Sequence, residues 1–119
     1  MLRNGYLLIY YCGWIKNPHD KIALCACDKR NWVFWFNSDA SFHGIGQILC
    51  DASDHPGCLT KACYLDVSSF KAMTDAEIVC AQSRGVLSAA FRARIVAALK
   101  GPNRRLSPAN KAIALANLE

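Results

Sequence analysis

The feature that most constrains this chain is a change of hydrophobic period near residue 67. Before that point, apolar residues come in short runs separated by turn-forming residues. After it, they recur at three- and four-residue spacing behind helix-capping residues. Runs of this length read as strands, and their short connections favour antiparallel neighbours. Strands followed by helices along the chain predict an α+β fold.

Five strands are expected: Tyr6–Cys12, Lys21–Cys27, Trp32–Asn37, Ile45–Asp51 and Lys61–Val67. Asp28-Lys29-Arg30-Asn31 has the length of a hairpin loop, and no helix is expected between Lys21 and Phe36. In Trp32–Asn37 the pleat puts Trp32, Phe34 and Phe36 on one face and Val33 and Trp35 on the other. Both faces are apolar, which requires burial on both sides or an apolar surface used for association.

Beyond Val67 only helices are expected. Thr74-Asp75-Ala76-Glu77 matches a capping box, and Arg84-Gly85 reads as the end of that helix. Ser88 caps a second helix bearing Phe91, Ile95, Val96 and Leu99, stopped by Gly101-Pro102. Asn103-Arg104-Arg105 reads as an exposed connector. Ser107-Pro108 then opens a third helix to about Leu118. The chain reads as one domain, 1–119, with a strand meander over 6–67 and a helical part over 68–119.

Hydrophobic residues make up 53% of the 119 and charged residues 19%. That balance supplies a core and excludes the disordered class. The longest apolar run, Tyr6–Cys12, is far short of a membrane span of about 20 residues. Arg3 before this run suggests a secretory signal, but a small-residue cleavage site is lacking. The expectation is therefore a leaderless, cytoplasmic protein with no membrane partner.

Seven cysteines cannot pair completely within one molecule, and no CxxC pair occurs. Reduced, mostly buried thiols and no intramolecular disulfide are expected. The irregular spacing of Cys50, Cys58, Cys63, His43 and His55 argues against a zinc site. Charge is uneven: residues 1–66 are neutral overall, and the formal net charge of +5 falls within residues 67–119. A basic half suits an anionic partner such as RNA, and it equally suits solvated helix faces.

Leu59–Leu99 carries Leu59-Thr60-Lys61, a strand ending at Asp66, a short acidic helix from Thr74, and Gly85-Val86-Leu87-Ser88 before an amphipathic helix. This pattern resembles the C-terminal half of the PemK/MazF-like toxins, and the preceding meander is in the matching order. The resemblance covers about residues 6–100. It implies a small antiparallel SH3-like β-barrel followed by two to three C-terminal helices, a homodimer, an antitoxin-like protein partner, and metal-independent endoribonuclease activity with no cofactor.

Members that cut RNA use an Arg leading into the second strand and a Thr or Ser at the end of a later one. The matching positions here are Lys21 and Ser53. Lys keeps the charge and loses the planar fork, so the resemblance is also compatible with an inactive RNA-binding relative. His19 and His55 are the candidate proton-transfer groups, alongside Lys21 and Ser53. The bland alternative is that each His anchors its loop. Lys29, Arg30 and Trp32 are the candidate RNA-binding residues, since aromatics beside basic residues stack single-stranded bases, although such a strand also suits a core. A homodimer is expected as well from the apolar faces of Trp32–Phe36. A small non-enzymatic protein-interaction module is the alternative function.

Overall fold

The structure, a computed structural model, describes residues 2–55 and 58–119. It is α+β. Among the described residues, seven strands form one antiparallel sheet: β1 (Tyr6–Cys12), β2 (His19–Cys27), β3 (Trp32–Asn37), β4 (Gln47–Cys50), β5 (Cys63–Asp66), β6 (Lys71–Ala72) and β7 (Gln82–Val86). Three helices complete it: α1 (Asp75–Cys80), α2 (Ala89–Lys100) and α3 (Pro108–Leu118).

β3 organises the sheet. Its first residues, Trp32 and Val33, pair with β6, and its last, Phe36 and Asn37, pair with β5. Its other edge pairs with β2, which pairs with β1. The 28–31 connection is a single 3-10 turn, Asp28–Arg30, closed by Asn31 in the left-handed region, so the helix-free expectation for 21–36 holds only as to α-helix.

Each face of the sheet has its own core, which is why the strands are apolar on both sides. Leu7, Leu24, Phe34, Phe36 and Leu65 pack against Phe91, Ile95 and Leu99 of α2 and Leu118 of α3. On the opposite face, Leu8, Tyr10, Cys12, Ala23, Cys25 and Val33 pack with Met73, against Ile78 and Ala81. Trp32 stacks on Phe70 at 4.6 Å, and Phe70 on Phe34 at 4.9 Å. Much of the apolar surface of β3 is thus covered within the chain, with Trp32 and Trp35 left partly exposed.

The expected closed barrel of about five strands is not what forms. The order β4-β5-β3-β2-β1-β7 is open, with β4 and β7 at its two ends. The β4 edge is occupied by α2 instead of by a strand: the Arg94 guanidinium donates to the Leu49 carbonyl. The expectation of helices only beyond Val67 also needs correction. Lys71–Ala72 forms β6 beside β3, α1 ends at Cys80, and 82–86 returns as β7 beside β1. Gly85, at φ +104°, supports the bulge in that pairing, so it belongs to a strand and not to a helix end.

The helix caps behave as their residues dictate. The Thr74 hydroxyl accepts from Glu77 N–H at 3.2 Å, and Thr74 N–H donates to the Glu77 carboxylate at 2.9 Å. A helix of six residues has little stability of its own, so this reciprocal cap and the packing of Ile78 hold it. Thr74→Ala is expected to cost about 1 kcal/mol, read as a lower urea midpoint, with Thr74→Ser close to wild type.

The 103–105 connector is not wholly exposed. Asn103 is buried, and its Nδ2 donates to the Val67 carbonyl at 2.9 Å. Gly46, at φ +68°, lets the backbone pass beside this junction, where an added Cβ would lie 3.0 Å from Ser68 N. Among the described residues, no helix is long and apolar enough to cross a membrane.

Candidate functional site

The start of β2, the end of β3 and the approach to β5 meet at one end of the sheet. There, His19, Asp20, Lys21, Asn37, Ser38, Leu59, Thr60, Lys61 and Cys63 line a cleft of about 200 Å³. Of the segments between the expected strands, 13–20 and 52–60 contribute their final residues to it. Pro56 and Gly57 of the second loop lie outside the described residues.

Lys21 is the buried charge of the site, 7% exposed. Its ammonium donates to Asn37 Oδ1 at 2.7 Å and to the Phe36 carbonyl at 3.3 Å. It also lies 4.7 Å from the centre of the Trp35 ring. Burial pulls the Lys21 pKa below its ordinary value, only partly offset by Cys12, and Lys71 adds a smaller downward push. His19 is exposed, with Nδ1 2.6 Å from the Asn17 carbonyl. A carbonyl only accepts, so Nδ1 carries a proton.

Trp35 links this cleft to a second surface. Lys71 lies 5.1 Å from its ring centre, and Trp14 packs against it at 5.5 Å between centroids. Trp35 Nε1 donates to the Tyr10 hydroxyl at 2.7 Å, which fixes the indole. Burial pushes the Tyr10 phenol up to about 12, against a downward pull from this bond. Trp14 itself is 60% exposed. Lys71 also borders a polar depression with His43, Ser68, Ser69, Asp66 and Arg105. The Asp66 carboxylate there is engaged by Ser68 N–H at 2.9 Å and by the Ser68 hydroxyl. The result is a strip of Lys61, Lys21, Lys71 and Arg105 with two indoles set into it.

Ser53 and His55 are not among the residues lining the cleft. Ser53 is exposed and turns back on its own loop, where its N–H and hydroxyl donate to Asp51 Oδ1. Those bonds hold the Asp51 carboxyl below its ordinary pKa. His55 is buried against α2, its ring edge-on to Phe91 at 5.1 Å, and its Nε2 accepts from Ser88 N–H at 3.3 Å. Arg94 reaches Asp54 at 3.5 Å, tying the same loop to α2. The loop residues nearest the expected catalytic positions therefore clamp a helix.

Burial lowers the His55 pKa below 6.5, opposed by Asp54. Above the unfolded-state value this group costs nothing. As pH falls through about 6.5 toward the lowered folded value, the unfolded chain takes up a proton that the folded one resists. Stability is therefore expected to fall as pH drops from about 7 toward the lowered folded value, by at most about 1.4 kcal/mol per pH unit. Urea unfolding across this range should show the slope, and His55→Gln should flatten it.

The three residues expected to contact RNA lie at the other end of β3. Lys29 and Arg30 are exposed in the 3-10 turn, and the Arg30 guanidinium sits 5.5 Å from the Trp32 ring centre. Trp32 spends its other face on Phe70, which leaves a smaller stacking surface than Trp14 offers. Trp14 carries no signal in the sequence, because an exposed indole in a Gly-Trp loop looks like any other loop residue. The signal that would have found it is spatial: an indole beside Trp35 and its two lysines. No three His, Cys, Asp or Glu side chains among the described residues are grouped to hold a metal ion.

The chain matches no protein-family model, no curated protein and no solved structure. What it does is read from this geometry.

Proposed function

We propose that this chain is a divergent PemK/MazF-like protein that binds single-stranded RNA along the Lys61–Lys21–Trp35–Trp14 strip without cutting it. The observation that carries the reading is the Trp35 ring within about 5 Å of two ammonium groups and packed beside the exposed Trp14. Indoles offer flat surfaces to bases, and flanking ammonium groups neutralise the phosphates between them. The family part of this reading rests on the Leu59–Leu99 sequence pattern, and the open sheet departs from the barrel that pattern implies.

Cleavage is disfavoured by how the chemistry is distributed. Metal-free scission needs a base for the 2′-hydroxyl and an acid for the leaving oxygen, placed on one phosphate. His19 and Lys21 line the cleft, whereas Ser53 and His55 do not. Lys21 also lacks the bidentate fork of an Arg.

Fluorescence anisotropy with a labelled single-stranded RNA, in EDTA, tests the proposal. Binding is expected to weaken as salt rises, with the RNA recovered intact. Absence of binding at low salt would overturn the RNA reading, and salt-insensitive binding would overturn the electrostatic strip. Cleaved RNA would restore the endoribonuclease reading. One observation favours a second reading, docking of an antitoxin-like or other protein strand. β7 is exposed along its whole length and, among the described residues, pairs on one side only, with β1. Pull-down of a protein by wild type, lost when Ser83 is replaced by Pro, would support it.

A further inference from the structure

We propose that Cys50 and Cys63 form an oxidation site: a dithiol across β4 and β5 that closes to a disulfide and staples the segment leading into the cleft. The two residues stand directly opposite each other in the β4–β5 register. Their sulfurs are 3.4 Å apart, and both side chains are buried. Opposed residues in antiparallel strands have Cα atoms about 4.5 or 5.5 Å apart, and both spacings lie inside the range that a disulfide spans. Closing the sulfurs to about 2.05 Å needs side-chain rotation and a small approach of two strands.

The pair is also placed asymmetrically. Cys63 lines the cleft beside Lys21 and Lys61, so a small oxidant entering there meets it first. Cys50 lies behind it, with its thiol directed at the Cys63 carbonyl at 3.5 Å. Burial raises both thiol pKa values, which keeps the pair reduced and slow at rest. The oxidant class is a hydroperoxide. The Cys63 thiolate attacks one peroxide oxygen and expels hydroxide, which leaves a sulfenic acid. The Cys50 sulfur then displaces that hydroxyl as water. In sum, two thiols and one hydrogen peroxide give one disulfide and two waters.

The consequence is local. The disulfide closes the segment from Asp51 to Ala62, which contains Leu59, Thr60 and Lys61 of the cleft wall. Oxidation therefore fixes one wall of the cleft. The proposal does not depend on what the cleft binds.

The test is peroxide treatment of folded Cys58→Ser/Cys80→Ser protein, which lacks the two thiols that are not fully buried. After alkylation and tryptic digestion, the expected product is peptide 31–61 joined to peptide 62–71, lighter than their sum by two hydrogens and separated again by dithiothreitol. Adding Cys50→Ser should stop the cross-link and leave a Cys63 sulfenic acid that dimedone captures, with circular dichroism confirming that this variant is folded. Folded protein in which both cysteines remain alkylatable, or oxidise to sulfinic acids without joining, overturns the proposal.

Discussion

Phe91→Ala is expected to cost about 3–5 kcal/mol and to leave the chain close to its unfolding threshold. Phe91 is 1% exposed and is the residue through which α2 grips the sheet. Its ring packs on Phe36 at 6.5 Å and receives His55 edge-on at 5.1 Å. The Arg94 guanidinium covers it at 5.0 Å. Truncation opens a cavity that these neighbours cannot close together, since Phe36 is fixed by β-pairing to Leu65 and His55 by Ser88. Urea denaturation should show a much lower midpoint with an unchanged slope. Val79→Ala, at an 83% exposed position, should stay within about 0.5 kcal/mol of wild type. Equal effects from the two would contradict the packing of α2 on the sheet.

The residues around Phe91 also show which parts of this structure were readable in advance. β1 and β3 span the expected residues, as does α3, because runs such as WVFWFN and a Ser-Pro cap carry their structure locally. β2 begins earlier than expected, at His19, because His19 and Asp20 pair with Cys12 and Tyr11. They are exposed and polar, so periodicity has nothing to register there. β4 and β5 are shorter than expected: Gly44 and Gly46 sit at positive φ before β4, and only Cys63–Asp66 pairs in β5. β7 was illegible for a stronger reason. Gln82–Val86 has no apolar face, and its strand character comes wholly from pairing with β1, far away in sequence.

The site divides in the same way. Lys21 and His19 were legible as chemistry-bearing residues at a strand start, and the cleft does gather them. His55 lies outside the cleft, and its partner, Ser88, is 33 residues away, so nothing in the Asp54-His55 dipeptide shows which element its loop is anchored to. The basic strip draws Lys61 and Lys21 from the half with no net charge and Lys71 and Arg105 from the basic half. Counting charge by segment therefore located the surplus but not the surface.

Trp14→Ala is expected to weaken single-stranded RNA binding by about 1–3 kcal/mol, roughly 5- to 150-fold in Kd. The side chain is mostly exposed and makes its aromatic contact with Trp35, so its loss should leave stability nearly unchanged. Lys21→Met acts differently. It removes a positive charge from the cleft lining and should reduce the magnitude of the salt slope by at most about 0.7 for a single strand, since the buried ammonium already donates to Asn37 and Phe36. The fold should tolerate it, because the Lys21 charge is held at a desolvation cost that Met avoids. Asn37, one of the two acceptors left behind, is half-buried and can turn to water. The two variants thus separate stacking from charge: Trp14→Ala should lower affinity at every salt concentration with the slope retained, and Lys21→Met should lower the slope. The readout is anisotropy over a salt series, with urea midpoints measured in parallel. If both variants bind as wild type does while remaining folded, the strip is not the RNA surface, and the exposed β7 edge becomes the place to look for this protein's partner.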